Sequence, residues 1–87
     1  LSRSLRYFYA GDFREALKEV DLSLELKPDL ALAYARRGSI YYKLGDVQRA
    51  TINWNLALRL DPEYDDVRNI LKALRENRLK EANLFEE

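Results

Sequence analysis

The residues of this chain best suited to chemistry are four carboxylates grouped around one turn: Asp61, Glu63, Asp65 and Asp66. Such groups can bind a hard cation or exchange protons with a substrate. A calcium loop, however, also needs a central glycine for its sharp turn, and this segment has none. Acidic side chains are also favoured in the first turn of a helix, where the helix dipole is positive. The pattern therefore predicts a solvated turn and a helix start rather than a metal site.

Histidine and cysteine are both absent from the 87 residues. Their absence removes imidazole bases, thiolate nucleophiles and the usual zinc ligands. The carboxylates that remain have no nucleophile and base pair beside them, and a chain of this length buries too little surface for a large enclosed active site. We therefore predict a protein that is not an enzyme, with no catalytic residue, no metal and no cofactor.

The charges of the chain are balanced, since 15 lysine and arginine residues face 15 aspartate and glutamate residues. A chain without net charge has no long-range attraction for a phosphate backbone or an anionic membrane. No apolar run approaches the roughly 18 residues that a membrane-spanning helix needs. We therefore expect no nucleic acid partner and no membrane insertion. Because Leu1 already falls inside a predicted helix, we also expect the chain to be a piece of a longer protein.

The elements that position these residues repeat along the chain. Three pairs of small or helix-breaking residues are each separated by 34 residues: Gly11 and Gly45, Ala16 and Ala50, and Pro28 and Pro62. A fixed period of this length is typical of stacked helical hairpins. It predicts helices at about 1–10, 13–26, 30–44, 47–60 and 64–77, each with apolar residues three and four positions apart.

Glycine and proline define the two kinds of turn. Gly11 and Gly45 can adopt the left-handed conformation that ends a helix, and Asp12 and Asp46 can cap the amides of the next helix. The prolines lack an amide hydrogen and disfavour helical geometry in the residue before them, so they fit the connection between hairpins. Small residues such as Ser4 and Gly38 are expected to let neighbouring helices approach closely.

The repeated pattern resembles the tetratricopeptide repeat. One complete repeat is suggested by Tyr34, Arg37, Gly38, Tyr41, Gly45, Ala50, Trp54, Ala57 and Pro62. A second, lacking its first few residues, is suggested by Tyr7, Gly11, Ala16, Val20, Ser23 and Pro28. The resemblance implies an all-α fold in which antiparallel helix-turn-helix hairpins stack as a short right-handed α-solenoid. It implies one domain over 1–87, with repeat 1 at 1–30, repeat 2 at 31–64, and a capping helix and tail at 65–87.

In this family the first helices of successive hairpins line a concave groove that holds a peptide or a helix. The resemblance implies these groove residues: Leu5, Phe8, Tyr9, Arg36, Ser39, Tyr42, Lys43, Asn69 and Ala73. The alternative for the aromatic residues is that they cover the joints between helices, and the alternative for Arg36 and Lys43 is a solvated surface. Trp54 is expected in the core, because Ala50 and Ala57 share its helix face.

One subset of the family clamps the C-terminal carboxylate of heat-shock chaperones with cationic and amide side chains. The corresponding positions in this chain are Leu1, Leu5, Arg36, Asp66 and Ile70. Of these residues only Arg36 is cationic, and Asp66 would repel an acidic tail. We therefore do not expect the ligand of that subset.

The leading functional hypothesis is an interaction module that binds a peptide segment or helix of another protein in the groove. The alternative is a structural element that forms homo-oligomers through its exposed terminal helices. In the last ten residues, Leu84 and Phe85 fall out of register with the preceding apolar stripe. They are expected either to belong to a frayed end or to dock on a neighbouring copy, on a preceding segment or in the groove.

Overall fold

The computed structural model describes residues 2–76, with the side chain of Ser2 excepted, and all of its regular elements there are helices. The helices are α1 (Ser2–Tyr9), α2 (Phe13–Leu26), α3 (Ala31–Lys43), α4 (Val47–Leu60) and α5 (Asp65–Arg75). Each helix packs mainly on its neighbours along the chain. The predicted all-α repeat fold is confirmed. The last residues of the predicted fifth helix and the tail, including Leu84 and Phe85, lie outside the described residues.

The turns inside the two hairpins have the same construction. Gly11 and Gly45 have φ values of 82° and 89°, which residues other than glycine rarely adopt. The amide of Asp46 donates to the carbonyl of Tyr41 at 2.9 Å, and the amide of Asp12 donates to the carbonyl of Tyr7 at 2.8 Å. These bonds satisfy carbonyl groups at the end of the first helix.

The two aspartates after these glycines differ in their capping role. The carboxylate of Asp46 accepts a hydrogen bond from the amide of Arg49 at 3.0 Å, as the sequence predicts. Asp12 makes no side-chain capping bond, so the same prediction is wrong for the first hairpin.

The connections between hairpins use the prolines in parallel ways. The hydroxyl of Tyr34 donates to the carbonyl of Pro28 at 3.2 Å, and the guanidinium of Arg68 donates to the carbonyl of Pro62 at 2.6 Å. Both donors lie six residues after their proline, in the first turn of the following helix. In each connection, the carbonyl of the proline is therefore hydrogen-bonded to a side chain from the first turn of the following helix.

Two apolar clusters form the core. The first joins α1, α2 and α3 through Phe8, Ala16, Val20, Leu24, Ala33 and Ile40. The second joins α3, α4 and α5 through Ala35, Ala50, Trp54, Ala57, Val67 and Ile70. Because Tyr34 packs against both clusters, the two hairpins share one continuous interior.

Candidate partner-binding surface

The first-helix face is built from the residues of α1, α3 and α5 that the family resemblance assigns to a groove. Several occupy equivalent positions 34 residues apart: Leu5, Ser39 and Ala73; Phe8 and Tyr42; Tyr9 and Lys43. Equivalent positions in stacked hairpins lie side by side, so these residues form rows across the array.

Six of the nine predicted residues offer surface to a partner. Tyr9 is 58% exposed, and Lys43 and Asn69 are also exposed. Leu5, Arg36 and Tyr42 are half-buried. Their rings, aliphatic stems and charged ends provide apolar contact and hydrogen bonding on one face, which is the combination that peptide recognition uses.

Three predicted residues lie inside the fold and offer little side-chain surface. Phe8 is 7% exposed and contacts the ring of Phe13 edge-to-face at 5.5 Å between ring centres. Ser39 is fully buried, and its hydroxyl donates to the carbonyl of Ala35 at 3.3 Å. Ala73 is 6% exposed because it continues the stripe of α5 that packs on α4. The expectation that these side chains face a partner is therefore corrected.

The ring of Tyr42 packs against the core. Its ring lies 6.1 Å from that of Trp54, at an interplanar angle of 37°. Trp54 is fully buried, and its indole nitrogen donates to the carbonyl of Ala35 at 3.2 Å. The predicted core position of Trp54 is confirmed, so this ring holds Tyr42 in place rather than stacking on a ligand.

The first-helix face carries opposite charges at its two ends. Lys43 is the last residue of α3 and forms the basic end, whereas Arg36 lies near the middle of this helix. At the other end, an open cleft of about 480 Å³ is lined by Leu30, Ala31, Leu32, Asp61, Glu63, Tyr64, Asp65 and Asp66. The basic and acidic residues therefore lie at opposite ends of this face.

The acidic group at this cleft has the structural roles that the sequence predicts. One carboxylate oxygen of Asp61 accepts a bond from the amide of Glu63 at 3.2 Å. Asp65 forms an ion pair with Arg68 at 3.6 Å, in the first turn of α5. Among residues 2–76, no three acidic side chains converge in a way that would hold a metal ion.

A polar joint between the hairpins, centred on Arg37, is not among the features that the sequence predicts. Arg37 donates to Asn53 of α4 at 2.7 Å and to Asp21 of α2 at 3.0 Å. Its guanidinium also lies 5.2 Å from the ring centre of Tyr34. The sequence does contain one signal, since arginine recurs at the same repeat position in Arg3 and Arg37. In the structure Arg3 makes the equivalent contact with Glu19 at 3.4 Å.

Comparison with known proteins identifies the array. The family model described as tetratricopeptide repeat matches residues 4–75. The chain belongs to the tetratricopeptide repeat family. Tetratricopeptide repeats generally mediate contacts between proteins, which makes this chain an interaction module by class. None of the helices within residues 2–76 has the length and apolar character needed to cross a membrane.

Two curated relatives carry similar repeats. The "Heat shock protein sti1 homolog" of Schizosaccharomyces pombe (strain 972 / ATCC 24843) is 33% identical over 73 residues, covering 84% of this chain and 12% of the relative. The "Hsp70-Hsp90 organizing protein" of Triticum aestivum is 34% identical over 56 residues, covering 64% of this chain and 10% of the relative. The chain thus spans 10–12% of the length of these relatives. No solved structure gave a significant match.

Proposed function

We propose that this tetratricopeptide chain is a non-catalytic module that binds a peptide segment or a helix of another protein in a concave groove formed by α1, α3 and α5. The observation that carries the proposal is the row of surface side chains on α1 and α3. Tyr9 and Tyr42 supply flat apolar area, while Arg36 and Lys43 supply charge. Clustered exposed aromatic residues usually mark a contact surface.

We also propose that the chain works as one domain made of repeat 1 (1–30), repeat 2 (31–64) and a closing segment (65–87). The burial pattern of α5 supports a capping role. Val67 and Ile70 pack into the second core cluster, while Asn69 and Lys72 are exposed. Lys72 stands where the two earlier first helices have Ser4 and Gly38, so a further helix could not pack closely on it.

A heat-shock chaperone is the first partner to test, because the wheat relative is named for organizing Hsp70 and Hsp90. The positions that would clamp an acidic C-terminal tail include Leu5, Asp66 and Ile70, which do not suit a carboxylate. We therefore propose that any binding of these chaperones survives removal of their acidic C-terminal residues. Isothermal calorimetry with intact and truncated Hsp70 and Hsp90 measures the difference, and loss of binding on truncation would reject this mode.

The groove is tested by affinity capture from the native extract with surface variants. Arg36→Glu combined with Tyr42→Ala is expected to abolish capture of the partner. Arg14→Glu, on the exposed face of α2, makes a matched charge reversal away from the groove and should leave capture unchanged. Circular dichroism and the melting temperature of each variant separate lost binding from lost folding. Equal capture by the groove variant, or equal loss in Arg14→Glu, would refute the proposal.

A further inference from the structure

A second surface lies where the connection between the hairpins meets Tyr34 and the C-terminal half of α4. This α4 cleft is open, with a volume of about 450 Å³ and mainly apolar walls. Its lining residues are Pro28, Asp29, Tyr34, Leu56, Arg59 and Leu60. None of them belongs to the first-helix face described above.

The wall formed by Tyr34 is fixed before any ligand arrives. Its hydroxyl is held by the carbonyl of Pro28, and its ring faces the guanidinium of Arg37. That guanidinium is in turn held by Asp21 and Asn53. A rigid apolar wall loses little conformational freedom on binding, which favours the docking of a bulky side chain.

An apolar stripe along α4 leads to this cleft. Ile52, Leu56 and Leu60 follow one another at intervals of four residues, so they lie on one side of the helix. Ile52 and Leu60 are exposed and Leu56 is half-buried. Arg59 is exposed at the rim and forms no ion pair within residues 2–76. The surface therefore fits an apolar segment that carries a nearby carboxylate.

We propose that the C-terminal segment of this chain occupies the α4 cleft, with Leu84 and Phe85 against its apolar walls and Glu86 or Glu87 beside Arg59. These four residues follow one another in the sequence. The apolar pair matches the apolar walls, and the carboxylates match Arg59 at the rim, away from Asp29 on the connection between the hairpins. This contact is independent of the proposed groove and concerns a different face.

The segment is long enough to reach the cleft. A short turn joins α4 to α5 and the two helices pack together, so they run in opposite directions and α5 ends near the N-terminal half of α4. From Glu76 to Phe85 an extended chain spans about 30 Å, and the longest dimension of the molecule is 32 Å.

Paramagnetic relaxation measured by NMR tests the contact directly. Because the chain has no cysteine, Asn55→Cys places a single nitroxide on the exposed face of α4 beside Arg59. Asn69→Cys places the control label on the exposed face of α5. Amide signals of residues 82–87 are expected to lose most of their intensity with the α4 label and much less with the α5 label.

Substitutions decide whether the side chains proposed here cause the effect. In Leu84→Asp with Phe85→Asp, the preferential loss of signal with the α4 label should disappear, and Arg59→Glu should weaken it. Mixing spin-labelled chain with unlabelled, isotope-enriched chain distinguishes copies, and signal loss in that mixture would overturn docking within one chain. Equal effects of both labels, or an effect that the Asp variants leave unchanged, would also overturn it.

Discussion

Gly38 sets how closely α3 approaches α4. A Cβ atom at this position would lie 2.6 Å from both Cδ1 and Nε1 of the Trp54 indole and 3.0 Å from the carbonyl oxygen of Ala50. The indole in turn donates to Ala35, so it cannot move away without losing that hydrogen bond. Because Gly38 has no Cβ atom, it leaves the space that the Trp54 indole occupies.

Gly38→Ala is expected to destabilise the fold by about 1 to 3 kcal/mol, because the added methyl group overpacks the core. Urea unfolding followed by circular dichroism measures this free energy. In a Trp54→Leu background the indole is gone, and the same substitution should cost less than about 0.5 kcal/mol. An equal cost in both backgrounds would show that contact with Trp54 is not the cause.

The two hairpin turns give a matched pair of capping variants. Asp46→Ala removes the bond from its carboxylate to the Arg49 amide and should cost about 1 kcal/mol. Asp12→Ala removes no such bond and should cost only a few tenths of a kcal/mol. The difference in urea unfolding free energy checks the prediction, and a larger cost at Asp12 would contradict it.

At the scale of the helix, Arg37 joins three elements. It lies on α3 and contacts Asp21 on α2 and Asn53 on α4. Asn53 is buried, and its amide nitrogen donates to the carbonyl of Arg49 at 2.8 Å. The side chain of Asn53 is therefore satisfied on one side by its own helix and on the other by Arg37.

Arg37→Leu is expected to cost about 1 to 3 kcal/mol, since it leaves the buried carbonyl oxygen of Asn53 without its donor. Arg3→Leu is the control, because Arg3 makes the equivalent contact with Glu19 at an exposed site and should cost at most about 1 kcal/mol. Thermal unfolding of both variants and of Arg37→Leu with Asn53→Leu measures the effects. Equal losses for Arg3 and Arg37 would contradict the role of burial.

The positions of the helices could be predicted from the sequence because they depend on local chemistry. Gly45 permits the left-handed backbone that ends α3, and Pro62 disfavours continuation of α4, whatever surrounds them. The joint at Arg37 could not be predicted in the same way, because its partners lie 16 residues away in both directions. Only the packing of the two hairpins brings these three side chains together.

At the scale of the whole molecule, α1 carries arginine residues at positions whose equivalents on α3 are covered by the neighbouring hairpin. Arg6 occupies the position equivalent to Ile40, which is fully buried between the two hairpins. Arg3 is likewise exposed where Arg37 is partly covered. Charged side chains at these positions oppose the burial of α1 against another copy.

We therefore expect the chain to remain monomeric, contrary to the hypothesis of self-association through terminal helices. Light scattering across a range of concentrations should give a constant mass equal to that of one chain. Arg6→Leu should promote association, because it removes one of the two charges from this side, whereas Arg14→Leu on α2 is the matched control. Association of the unaltered chain would favour the structural hypothesis.

The exposure of the residues on the first-helix face was less predictable than the fold. The family resemblance assigned the first-helix face to α1, α3 and α5, but it did not distinguish surface from interior along them. Tyr9 and Lys43 are exposed, whereas Ser39 lies one turn before Lys43 and is fully buried. Such differences depend on the angle at which each helix packs on its neighbours, which the spacing of residues alone does not determine.

The partner-binding surface is proposed to lie on the first helices of the hairpins. Amide chemical shifts of the chain, recorded by NMR with and without the captured partner, test it most directly. The largest changes should fall in α1, α3 and α5, around Tyr9, Arg36 and Lys43, and the exposed faces of α2 and α4 should change little. Changes concentrated on α2 and α4, with α3 unaffected, would contradict a binding surface on the first helices.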